Sequence, residues 1–175
     1  MRLTGKRVYL FLEDLYQEHE FWYPFFRLKE EGAQVVVVAP DKGREYKSKL
    51  GIPAVADEAA HRVNVKDCSG IVIPGGYSPD LMRRNTAMVK LVEEAFGLGK
   101  IVAAICHAPW MLASTHILKG KRCTSFFSIK DDLVHAGAEW MDEEVVVDGN
   151  LITARKPDDL PPFMRAVIDG VEKTA

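Results

Sequence analysis

The chain has 175 residues, 47% hydrophobic and 27% charged, with 23 Lys and Arg against 25 Asp and Glu for a formal net charge of −2. That length buries a sizeable core without metals or disulfides and suits one domain over residues 1–175. Near-neutral charge leaves no basic footprint for nucleic acid or an anionic membrane, and no apolar run approaches the length of a membrane span.

Residues 7–12 (RVYLFL) read as a first apolar strand. Residues 20–32 follow as a helix, with Phe21, Trp22, Phe25, Phe26 and Leu28 at helical spacing and Gly32 as its stop. Pro24 is expected in the first turn of that helix, or else kinks it. Residues 34–39 are a valine-rich strand closed by Pro40, and strand–helix–strand with continuously apolar strands predicts a parallel sheet covered on both faces. Residues 41–65 are polar, carry Gly43, Gly51 and Pro53, and predict short edge strands rather than a helix. Residues 70–73 form the next buried strand, running into Pro74-Gly75-Gly76. A helix is expected over 85–96, with Met88, Leu91, Val92 and Ala95 on one face.

Residues 101–105 are a buried strand that stops at Cys106-His107, and Pro109 fits the first turn of a following helix. Residues 130–136 predict a short helix ended by Gly137. Residues 144–147 and 151–153 flank Asp148-Gly149-Asn150, a hairpin signal of the Asp-Gly type. The last helix runs over 158–171, with Pro161 and Pro162 near its start.

Cys106 sits where a buried strand gives way to a helix, the geometry of a nucleophile elbow. Positive charge at the helix start favours thiolate there, and His107 stands beside it. In open parallel sheets the site lies beyond the carboxyl ends of the strands. The loops there are 13–20, 74–80 and 106–107. Gly75 and Gly76, lacking Cβ, let backbone N–H groups approach a substrate oxygen, and with the His107 N–H they would form an oxyanion hole. Three cysteines (Cys68, Cys106 and Cys123) in no metal-like spacing and five scattered histidines predict no metal site. With no secretory signal at the start of the chain, the cysteines fit a reducing, cytoplasmic setting.

The chain resembles the ThiJ/PfpI family, which includes intracellular cysteine peptidases and a protein deglycase. The residues that carry the resemblance begin with Tyr23-Pro24, Arg27-Leu28-Lys29-Glu30-Glu31-Gly32 and Ile73-Pro74-Gly75-Gly76. The strongest is Ala104-Ile105-Cys106-His107-Ala108-Pro109. Further on come Ile129-Lys130-Asp131-Asp132, Ala136-Gly137-Ala138-Glu139-Trp140 and Val145-Val146-Val147-Asp148-Gly149-Asn150. The resemblance implies a flavodoxin-like, class I glutamine amidotransferase-like sandwich with a mostly parallel sheet. It makes Cys106 the nucleophile, His107 its partner, and Asp80 the carboxylate that orients the His107 of a neighbouring subunit. The site would then be completed only within a homodimer or hexamer.

Counted without gaps from the first strand, the family's acidic partner of the cysteine falls on Gln17, which donates a hydrogen bond at any pH but shuttles no proton. A slip of one residue would give the role to Glu18, and Glu13 is a further stand-in. The expected function is a PfpI-type cysteine hydrolase acting on peptide or other acyl carbonyls, with no cofactor. The alternatives are a glyoxalase or deglycase acting on small methylglyoxal-type aldehydes, and a non-catalytic redox-sensing stress protein or chaperone.

Overall fold

The computed structural model describes residues 1–174, so Ala175, the final residue of the expected domain, lies outside the described residues. The chain runs β1 (Arg7–Phe11), α1 (Glu18–Glu30), β2 (Gln34–Ala39), then three short strands, β3 (Glu45–Lys47), β4 (Pro53–Val55) and β5 (Glu58–Ala59). β6 (Gly70–Ile73), α2 (Ser78–Met82), α3 (Thr86–Gly97), β7 (Ile101–Ile105) and α4 (Pro109–Ala113) follow. The remainder is β8 (Arg122–Cys123), α5 (Lys130–His135), β9 (Glu139–Trp140), β10 (Val145–Asp148), β11 (Leu151–Ala154) and α6 (Leu160–Lys173).

Seven strands make the central sheet in the order β10-β11-β7-β6-β1-β2-β5, all parallel except β10, which pairs antiparallel with β11. The inner strands are apolar throughout because both faces are covered. α1 and α6 pack on one face, around Leu10, Leu28, Ile105 and Phe163. α3, α4 and α5 pack on the other, around Ile71, Met88, Val92, Met111 and Leu133. This is the mostly parallel, doubly covered sheet that the strand–helix rhythm predicts. The polar stretch after β2 holds short strands and two 3-10 turns, with no α-helix.

Two local expectations give way. Pro24 lies in the interior of α1, seven residues into the helix and buried, rather than in its first turn. It withholds one N–H from the helix, and the helix persists because the same buried face packs Phe21 and Leu28 into the core. In the β10–β11 hairpin Asp148 pairs with Leu151, so the turn residues are Gly149 and Asn150, with Gly149 at φ +64°. A glycine with positive φ at the first turn position is the pattern of a type II′ turn, not the Asp-Gly turn expected.

The chain winds from β1 to β2 on one side and returns through β6 and β7 on the other. The crevice at that switch point is where an open parallel sheet binds ligands. The carboxyl ends of β1, β6 and β7 all open onto it.

Candidate active site

Cys106 directly follows β7 with φ +63°, a left-handed conformation that costs a non-glycine residue about 1 kcal/mol or more. Its backbone is clamped on both sides: its N–H donates to the Ala154 carbonyl at 3.0 Å and its carbonyl accepts from Phe126 N–H at 2.9 Å. The clamp holds the strained elbow and turns Sγ toward the crevice, leaving the residue 7% exposed.

Three segments converge on the sulfur. The backbone N–H groups of Gly76 and His107 are close enough to lower the pKa of its thiol. His107 Nδ1 lies 3.2 Å from Sγ, and its Nε2 lies 3.2 Å from Ser128 Oγ. The imidazole is stacked on Phe126, ring centroids 5.0 Å apart, with Trp110 at its edge. With Ser128 accepting from Nε2–H, Nδ1 carries the lone pair that faces the thiol. Burial, then the charge of Lys49, lowers the His107 pKa, so the ring is a neutral base at pH 7.

The acid at the sulfur is Glu20. Its side chain is fully buried in the first turn of α1, beside the Cys106 thiol; Oε2 accepts from Gly75 N–H at 2.8 Å, and Oε1 has no hydrogen-bond partner among the described residues. Burial pushes the Glu20 pKa up to about 8, outweighing the Gly75 N–H, so its carboxyl is protonated at neutral pH. Burial also pushes the Cys106 thiol up, as does a Glu20 carboxylate, while the Gly76 and His107 N–H groups pull it down. Protonated Glu20 adds no such repulsion, and His107 Nδ1 is in place to take the thiol proton. The helix start expected to favour thiolate belongs to the five-residue α4, so the donors that act on the sulfur are these two amides.

The residues expected to contact the cysteine are engaged elsewhere. Gln17 caps α1, with Oε1 accepting from Glu20 N–H at 2.9 Å and Nε2 facing His19 Nδ1 at 3.2 Å. Glu18 accepts from Leu50 N–H at 2.8 Å, and Glu13 from Asp14 N–H at 2.9 Å. The ungapped count stopped three residues short because it carried the register of β1 across the loop before α1. Glu20 was nevertheless visible in the helical pattern: Glu20, Pro24 and Leu28 recur at every fourth position and form one buried face.

Of the two glycines expected at the oxyanion hole, Gly76 keeps its N–H at the sulfur. Gly75 does not, because its N–H is spent on Glu20. A Cβ on Gly75 would stand 2.5 Å from Glu20 Oε2 and 2.8 Å from Cys106 Cβ, so this glycine serves the close approach of three segments. Asp80 lies on α2, partly exposed and paired with Arg84, with no contact to the His107 of its own chain. Ser128 and Lys49 carried no motif and were not found from the sequence. No group of three or more His, Cys, Asp or Glu side chains able to hold a metal occurs among the described residues, and no helix among them is long and apolar enough to cross a membrane.

The model of the DJ-1/PfpI family matches residues 6–170. A deglycase of Pyrococcus abyssi is 41% identical over 162 residues, covering 93% of this chain and 97% of that one. A Bacillus subtilis relative with a provisional cysteine protease name is 38% identical over 161 residues, covering 92% and 95%. Among solved structures, a two-domain protein of Anabaena variabilis with DJ-1/ThiJ/PfpI-like and ferritin-like domains superposes with a TM-score of 0.93 at 41% identity. That match covers 94% of this chain and spans 48% of the other. The flavodoxin-like sandwich expected from the resemblance is the fold of these neighbours.

Proposed function

This chain belongs to the DJ-1/PfpI family, and from that premise we propose a cysteine-dependent carbonyl enzyme, a deglycase or glyoxalase acting on methylglyoxal-type aldehydes and their adducts. One observation carries the choice: a buried carboxyl, protonated at neutral pH, touches the nucleophile. Gln17 shuttles no proton, whereas a carboxyl at Glu20 supports proton transfer between carbons. A nucleophile only 7% exposed also suits small aldehydes better than a peptide chain.

Cys106 Sγ adds to the aldehyde carbon as His107 Nδ1 takes the thiol proton. The carbonyl electron pair moves to oxygen, which Glu20 protonates to give a hemithioacetal. Glu20, now ionised, removes the proton from the former aldehyde carbon and delivers it to the adjacent carbon, while the hydroxyl proton passes to the neighbouring oxygen. Water then hydrolyses the resulting thioester: one of its protons returns to Glu20 as its oxygen joins the acyl carbon, the departing thiolate takes the proton held by His107, and lactate is released. The N–H groups of Gly76 and His107 steady the negative oxygen of each addition.

The hydrolase reading draws on the same amide pair, which suits an acyl oxyanion, and on the protease name of the Bacillus relative. Lactate formation from methylglyoxal and hydrolysis of an acyl peptide, measured side by side, separate the two. Glu20→Gln is expected to lower lactate formation by about 100-fold or more, the scale of a lost general acid–base group. Lactate formation that survives Glu20→Gln refutes the proton shuttle. Peptide hydrolysis that survives Glu20→Gln but is lost in Cys106→Ser favours the hydrolase. We place the working enzyme in a reducing, cytoplasmic compartment, where its three free cysteines stay thiols.

A further inference from the structure

Lys49 is a cation that the chemistry above leaves unused. It lies in the turn between β3 and β4, and that turn is laced to the active-site loop. Lys49 N–H donates to the Tyr16 carbonyl at 3.0 Å and Leu15 N–H to the Lys47 carbonyl at 2.7 Å. Leu50 N–H reaches Glu18 Oε1 at 2.8 Å, while Ser48 Oγ accepts from Leu50 N–H at 3.2 Å and Ile52 N–H at 2.9 Å. Tyr16 is in turn bridged to Gly76, whose N–H faces Cys106. Adjacent hydrogen-bonded segments lie about 4.8 Å apart, so residue 49 is on the order of 10 Å of backbone from Gly76, a gap that a lysine stem helps to cross.

The ammonium is exposed and forms no ion pair among the described residues. Glu18, whose carboxylate the Lys49 charge favours, accepts from Leu50 N–H at 2.8 Å, and Asp14 pairs with Arg44 at 2.7 Å. The Lys49 charge lowers the pKa of His107, Glu20 and Glu18, the three titratable groups on this side of the site.

We propose that Lys49 is an anion-binding residue of the site, holding a carboxylate on the substrate beside the reacting carbonyl. The site then prefers aldehydes and oxo compounds that carry an acid group over neutral ones of the same size. This rests on the reading of Cys106 as nucleophile, and the test separates the two. Cys106 is alkylated with iodoacetate and with iodoacetamide, which differ in charge but not in the bond they form: sulfur displaces iodide in each. Lys49→Met is expected to lower the iodoacetate-to-iodoacetamide rate ratio about three- to fivefold, the scale of an exposed charge pair. Lys49→Arg should restore the ratio, and unchanged melting temperatures would show that the turn is intact. Glyoxylate, an aldehyde carboxylate, should protect Cys106 from iodoacetamide at lower concentrations than methylglyoxal in the wild type only. A ratio unmoved by Lys49→Met overturns the role of Lys49 and leaves Cys106 untouched. Failure of both reagents to label native Cys106 removes the nucleophile, and the anion site with it.

Discussion

Glu20 is the residue whose state sets the behaviour of the site, and its burial makes that state measurable. Its pKa in the folded protein is about 8 against an ordinary 4.5, so the folded chain holds a proton that the unfolded chain gives up. The sign follows: its contribution is fully present below pH 4.5 and is lost as pH rises through 8. At 1.36 kcal/mol per pKa unit the span is at most about 5 kcal/mol. Denaturant unfolding across this window should show stability falling with pH in the wild type and a flatter curve in Glu20→Gln. Equal slopes would mean that Glu20 is ionised in the fold. The turn that carries Cys106 and His107 was legible in the sequence because a buried strand running into Cys-His-Ala-Pro leaves few other geometries. Glu20 was not reached because counting along a loop carries no register, whereas the buried face of α1 does. Ser128 and Lys49 had no such signature, since a serine or lysine in a turn looks the same whatever it faces.

At the scale of elements, α1 and α3 are fixed at their starts by side-chain caps, Gln17 and Asn85. α3 starts at Asn85, whose side chain accepts from Ala87 N–H at 3.0 Å and Met88 N–H at 3.2 Å. Asn85→Ala should cost about 1 kcal/mol of stability in chemical denaturation with lactate formation unchanged. A loss of activity at full stability would instead tie α3 to the chemistry. The strands of the central sheet were readable from continuous apolar runs, and the helices from their period. α2 escaped because five residues around Pro79 offer too little periodicity. The turn between β10 and β11 was misread by one position because Asp148-Gly149 and Gly149-Asn150 both carry turn chemistry, and only the pairing of Asp148 with Leu151 decides between them.

Assembly acts at the scale of the whole molecule. Within one chain the outer nitrogen of His107 is held by Ser128 and Asp80 by Arg84. If copies associate so that Asp80 of one reaches His107 of another, the carboxylate competes with Ser128 for that nitrogen. Asp80→Asn should then lower lactate formation at concentrations where light scattering reports an oligomer, and leave it unchanged at dilutions where it reports single chains. Equal effects at both would mean that Asp80 acts within its own protomer. The pairing of Asp80 with His107 of a neighbouring copy is implied by the family resemblance alone, because contacts between copies leave no periodic trace in one chain.

Gly75 and Glu20 stand 55 positions apart in the chain, and Cys106 lies a further 31 beyond the glycine. Their meeting exists only when β1, β6 and β7 lie side by side. Thiol reactivity is therefore a reporter of the middle of the protein: fraying of β10 or β5 leaves it untouched, while any slip between the inner strands silences it.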